Sequence, residues 1–215
     1  MVTRLTHAQR KARTRRDLMA SAMRVFLEHG FHLASLDEIA SAAGYSKGAV
    51  YSNFENKEAL FLAILDAHFE RRLALASRSI RQSPSLHEAV RVTARAIALA
   101  DREEPRWATL LIEFWAHASR HESLRQLVAI SRERFLAEIA ELFGRVVAGH
   151  ADQFRLPVES IVRGAVALQR GMSLERMLSP GSVSDEMYEQ LVIAYLVGLT
   201  RPPGEAGTQQ QKGDG

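Results

Sequence analysis

Residues 35–57 read SLDEIASAAGYSKGAVYSNFENK, and the punctuation of this stretch decides the fold. Ser35-Leu36-Asp37-Glu38 has the form of a capping box. The Ser35 hydroxyl accepts from the Glu38 amide, and the Glu38 carboxylate reaches back to the Ser35 amide. A short helix over residues 36–43 then puts Leu36, Ile39, Ala40 and Ala43 on one face, and Gly44 stops it. Ser46 caps a second short helix over residues 47–53, whose Val50 points inward. Ala40 is small where the two helices cross, Gly44 permits the turn, and Val50 plugs the angle between them, which is the helix-turn-helix pattern. Helices of about two turns each are too short to stand alone, so a third must supply the missing face.

Upstream, residues 9–29 provide it. Leu18, Ala22, Val25 and Phe26 recur at three- and four-residue steps, and Gly30 follows where a left-handed C-cap residue belongs, with Phe31 folding back behind it. Downstream, Asn56 caps a helix that runs from Lys57 into the low 80s and ends at Pro84. Further helices are predicted at 85–101, 106–120, 122–149, 158–178 and 184–199, with breaks at Pro105, around His121, at Pro157 and at Ser179-Pro180-Gly181. No period-2 pattern competes, so the fold class is all-α, with about nine helices. Residues 201–215 lack the apolar content to order themselves.

Composition narrows the function classes. The 215 residues are 47% hydrophobic and contain no cysteine, which excludes disulfides and thiolate metal sites. No apolar run approaches the ~20 residues that span a bilayer, and a cytoplasmic location is expected. The net charge of +3 is modest, but Arg4, Arg10, Lys11, Arg13, Arg15 and Arg16 all precede the first acid, Asp17. Such a block is either a solvated tail or an arm that pairs with phosphate. Gly-rich phosphate loops, Gly-x-Ser-x-Gly and zinc-protease motifs are absent, so the chain is not expected to be an enzyme, and no cofactor is expected.

Residues 46–54 and 56–60, with Ala22, Phe26, Gly30, Phe31, Ile39 and Ala40, closely resemble the signature of TetR-family transcriptional regulators. The resemblance covers roughly residues 12–72, and Asn53 stands where members often carry His. It implies an N-terminal arm (1–11), a DNA-binding domain (12–72), a helical effector-binding and dimerisation domain (73–200) and a disordered tail (201–215). The DNA contacts it implies are Ser35, Tyr45, Ser46, Lys47, Gly48, Tyr51, Ser52, Asn53 and Lys57. Each has a chemical reason. The Lys47 ammonium reaches phosphate or a guanine edge from the recognition helix, and Tyr51, one turn on, offers a hydroxyl to phosphate. Gly48 lets the backbone approach DNA, the serine hydroxyls lie near helix N-termini, and Lys57 clamps the flanking backbone.

So short a reading helix binds weakly alone, so a homodimer on a palindromic double-stranded operator is expected, with heads about 34–36 Å apart. Helices 158–178 and 184–199 are the expected interface. Gly164, Ala165, Ala167 and Gly171 allow close approach in the first, and Met187, Leu191, Ala194 and Leu196 form a stripe in the second. An unknown small-molecule effector is expected to relieve repression. Trp107, Leu111, Glu113, Phe114, His117 and Gln169 are its expected contacts. Glu113, His117 and His121 stack at four-residue steps, but no fourth ligand is evident and no metal is expected. The alternative is a helical protein-interaction scaffold without DNA binding, which leaves Lys47, Gly48 and Tyr51 without a task.

Overall fold

A computed structural model describes residues 6–83, 85–148 and 151–201. The expected terminator Pro84, residues 1–5 of the expected arm and residues 202–215 of the expected tail lie outside them. Nine α-helices follow one another among the described residues: α1 (His7–Leu33), α2 (Leu36–Ala43), α3 (Lys47–Tyr51), α4 (Lys57–Arg81), α5 (Leu86–Glu103), α6 (Pro105–Ala118), α7 (Glu122–Val146), α8 (Val158–Leu178) and α9 (Asp185–Gly198). A 3-10 turn at Ala151–Gln153 and an isolated antiparallel bridge between Phe154 and Thr200 complete the described backbone.

Two local departures from the sequence reading have physical causes. The helix α1 starts at His7 because Thr6 and Gln9 form a complete capping box, so Arg10 and Lys11 of the expected arm are helical. Gly30 has φ 78° and ψ 169°, the extended mirror region open essentially to glycine, whereas the expected left-handed cap occurs at Gly44 (φ 71°, ψ 27°).

The chain falls into two compact units. The first takes in residues up to Glu70 together with Arg106–Ser131; the second is Arg71–Pro105 with residues from Arg132 onward. A division near residue 72 was expected, but α6 and the start of α7 join the first unit rather than the second. Their reason for doing so is aromatic. Phe61 stacks on Phe114 at 4.1 Å, Phe26 and Phe31 each meet Phe61 at 5.3 Å, and Trp107 stacks on His68 at 4.3 Å. Leu18, Ala22, Ile39, Val50, Leu60 and Leu65 close the same core, all fully buried. Burying a side chain of this size contributes about 1.5–3 kcal/mol, which short helices such as α2 and α3 cannot supply for themselves.

The second unit is built differently. Ala94, Ala98, Met172 and Tyr188 form one cluster, Leu136, Ala140 and Val162 another, and Val147, Phe154 and Ile161 a third. The helices α8 and α9 approach closely where Gly164 meets Tyr195, whose hydroxyl donates to the Ile161 carbonyl at 3.0 Å. A Cβ at Gly164 would lie 2.0 Å from that hydroxyl oxygen.

Candidate nucleic-acid interface

The reading head is α2, the turn at Gly44 and α3. Ser35 caps α2 by accepting from the Glu38 amide at 3.1 Å. The reciprocal half of the expected capping box is replaced, since the Glu38 carboxylate faces His29 Nε2 at 3.1 Å. Ser46 caps α3 by accepting from the Ala49 amide at 3.3 Å. The fully buried Val50 pins α3 from below, and this leaves Ser46, Lys47, Gly48, Tyr51 and Ser52 on the exposed side.

Lys47 and Tyr51 lie one turn apart, 60% and 51% exposed respectively. The Lys47 ammonium rests on Asp37 at 2.9 Å, and this hydrogen bond, with the attraction of the carboxylate, raises its pKa. An ion pair so open to water is weak, so it leaves the ammonium free to exchange Asp37 for another anion. At Gly48 an added Cβ would meet nothing nearer than Ser46 Oγ at 3.9 Å. Packing among the described residues therefore does not require glycine there.

The remaining expected contacts are engaged within the protein. The Tyr45 hydroxyl donates to Asp17 at 2.9 Å, and the Ser52 hydroxyl to the Ala49 carbonyl at 2.9 Å. Asn53 turns its amide back on the Ala49 carbonyl at 2.8 Å. Lys57 is the most fully engaged of them. Its Nζ donates to the carbonyls of Phe31 (2.8 Å), His32 (3.1 Å) and Ala34 (3.0 Å), which takes up its three donors. Burial lowers its pKa.

Two residues that sequence reasoning passed over also belong to this surface. Asp37 holds Lys47, and Arg15 donates to the Asn53 carbonyl at 2.9 Å while its guanidinium lies over the Phe54 ring at 4.2 Å. Arg15 stands in the basic block that reads as either a solvated tail or a phosphate-pairing arm; its partners Asn53 and Phe54 lie 38 and 39 positions away, where spacing carries no signal. Arg10, Lys11, Arg13 and Arg16 are exposed along the same helix.

Of the six expected effector contacts, five lie in the first unit and Gln169 in the second. Trp107 and Phe114 are buried in the first unit's aromatic core, and Leu111 is half-buried on the same helix. Glu113 accepts from the Phe31 amide at 2.8 Å, and His117 faces Glu58 at 3.2 Å. The His117 and His121 rings do lie together, 4.4 Å apart, yet no group of three metal-ligating side chains forms among the described residues. Gln169 belongs to the second unit, where it donates to Asp101 (2.7 Å) and Ser173 (3.0 Å).

Comparison with known proteins agrees with this geometry. Residues 18–64 match the family of bacterial regulatory proteins, tetR family, and residues 84–201 match the BetI-type transcriptional repressor, C-terminal family. The transcriptional regulator BetI of Rhizobium meliloti is 26% identical over 191 residues, covering 89% of this chain and 91% of that protein. The transcriptional activator FasR of Mycolicibacterium smegmatis is 33% identical over 82 residues, which is 38% of this chain and 37% of that protein. The solved structure of Salmonella enterica GusR shares the fold, with a TM-score of 0.69 at 23% identity over 92% of this chain and 98% of that one. No described helix is long and apolar enough to cross a membrane. A capped reading helix that exposes lysine and tyrosine around an unneeded glycine is thus matched from both ends of the chain, which belongs to the TetR family of bacterial transcriptional regulators and is a DNA-binding regulator of transcription.

Proposed function

We propose that this chain represses transcription by binding a palindromic operator as a homodimer, and that a small-molecule effector relieves the repression. The observation that carries the reading is the exposed Lys47–Gly48–Tyr51 surface on α3, where among the described residues a Cβ added at Gly48 would meet nothing nearer than Ser46 Oγ at 3.9 Å. Lys47 exchanges Asp37 for a phosphate or a guanine edge, and Tyr51 donates to a neighbouring phosphate. Exposed Arg13 and Arg16 on α1 add charge that draws the duplex in without reading sequence.

Dimerisation through α8 and α9 is supported by apolar side chains left on their outer faces. Leu174 and Leu178 on α8, and Met187, Leu191 and Val197 on α9, are all exposed, and Gly171 meets nothing within 4 Å. Leu196, expected in this stripe, instead packs against the cluster of Val147, Phe154 and Ile161. Effector binding is supported by the match to a repressor C-terminal family and by the polar interior of the second unit. There Asp101 accepts from Arg72, Gln169 and Ser173. The effector acts by binding one arrangement of the dimer better than the other.

A gel shift with DNA upstream of the chain's own gene tests the reading. Lys47→Ala and Tyr51→Phe are expected to weaken binding by about 1–3 kcal/mol and a smaller amount respectively. Binding that is absent in the unmodified chain, or indifferent to both changes, would favour a scaffold that contacts only protein.

A further inference from the structure

Residues 30–34 are the end of α1 beyond its kink at Gly30, with the cap Ala34, and lead into the first helix of the reading head; side chains from other helices hold their backbone. The Phe31 amide donates to Glu113 Oε2 on α6 at 2.8 Å. The carbonyls of Phe31, His32 and Ala34 accept from Lys57 Nζ on α4 at 2.8, 3.1 and 3.0 Å. The same ammonium stands 4.8 Å from the centre of the Phe31 ring. Gly30 completes the fit, because a Cβ there would lie 2.8 Å from Glu113 Oε2. Ser35, the cap of α2, follows Ala34 directly, so whatever fixes this turn also fixes where α2 begins.

We propose that Glu113 and Lys57 are positioning residues for operator recognition: a carboxylate and an ammonium grip the 30–34 turn and so set α2 and, through Gly44, α3, without either touching DNA. The proposal rests on the DNA-binding reading above. Charge-assisted hydrogen bonds are about twice as strong as neutral ones and directional, which suits them to hold the segment that follows the break in helical geometry at Gly30. Lys57 has three donors for three carbonyls, and a fourth partner would break the grip. Glu113 supplies the sharper diagnostic. Losing an acid from a DNA-binding surface strengthens binding to phosphate on electrostatic grounds alone, whereas losing a positioning acid weakens it.

The test uses the full chain and a duplex that the unmodified protein selects from random sequence. Glu113→Ala is expected to raise the operator Kd about tenfold, while Glu113→Gln, which keeps an acceptor oxygen, stays within about threefold. Lys57→Met is expected to weaken binding similarly and to leave the slope of log K against log salt unchanged. A lost phosphate contact would instead flatten that slope by about 0.9. Lys57→Arg keeps the charge but not the point-like geometry, so it remains weak.

Three results would overturn the proposal. One is tighter or unchanged binding by Glu113→Ala. Another is a flattened salt slope in Lys57→Met. The third is a lowered melting temperature with unchanged Kd for the folded protein, which reduces both residues to structural braces. If the truncated variants do not fold, Glu113→Gln and Lys57→Arg carry the test: wild-type binding by the arginine variant overturns the proposal. An unmodified chain that selects no sequence overturns the DNA-binding reading and this inference with it.

Discussion

The two units of this chain are closed in different ways. The first is closed by Phe26, Phe31, Phe61, Trp107 and Phe114, rings that meet face to face or edge to face, with the buried His68 ring stacked on Trp107. The second places Asp101, 10% exposed, under Arg72, Gln169 and Ser173, and runs Arg176 to the carbonyls of Ala98 and Val183 and to Asp185. An aromatic core fixes one arrangement of short helices firmly, as a reading head needs. A buried ion pair contributes little net stability, because desolvation offsets much of the attraction, so its retention calls for another reason. A polar interior that can exchange partners is that reason in our reading: the first unit is built to hold still and the second to respond.

That contrast can be broken by experiment. Phe114→Ala, at a fully buried ring, is expected to cost about 3–5 kcal/mol in urea unfolding, and a cost under about 1 kcal/mol would mean the aromatic core is not what holds the first unit. Asp101→Leu is expected to cost about 3 kcal/mol by stranding Arg72, and the double change with Arg72→Met should recover most of it. If the double variant stayed as unstable as the single one, the ion pair would be structural and the contrast with the first unit would shrink. The smallest expected effect sharpens the comparison at the surface. Gly48→Ala should stabilise the free protein by about 0.5–1 kcal/mol, since helix propensity rises and nothing is displaced. Operator binding should nevertheless weaken, and unimpaired binding would remove the reason given for the glycine.

The helices were legible because their signals are local. Ser35, Gly44, Ser46 and Ser184 are caps or stops that act within four residues, and α2 spans the expected residues 36–43. The helix α3 is shorter than expected, ending at Tyr51, where Ser52 hydroxyl and amide groups already turn back on its last carbonyls. The exposed members of the interface, Lys47, Gly48 and Tyr51, were legible because a motif names them. What the sequence could not disclose was choice of partner. Glu113, His117 and His121 do share a helical spacing, yet Glu113 is taken by Phe31, 82 positions away, and His117 by Glu58, 59 positions away. Periodicity tells which side chains share a face and is silent on what that face meets. The partners of Lys57 were hidden for the same reason, since its acceptors are backbone carbonyls brought to it by the Gly30 turn.

The pair of Lys47 with Asp37 has a further consequence. In the free protein the recognition lysine carries its own counterion, covalently part of the same chain and unable to diffuse away. When phosphate displaces it, the duplex sheds a condensed cation, but the abandoned carboxylate attracts one from solution. The two exchanges partly cancel, so Lys47 should contribute less than the usual ~0.9 to the salt dependence of binding. On the reading proposed above, the operator would be gripped with a sensitivity to ionic strength damped at Lys47 itself.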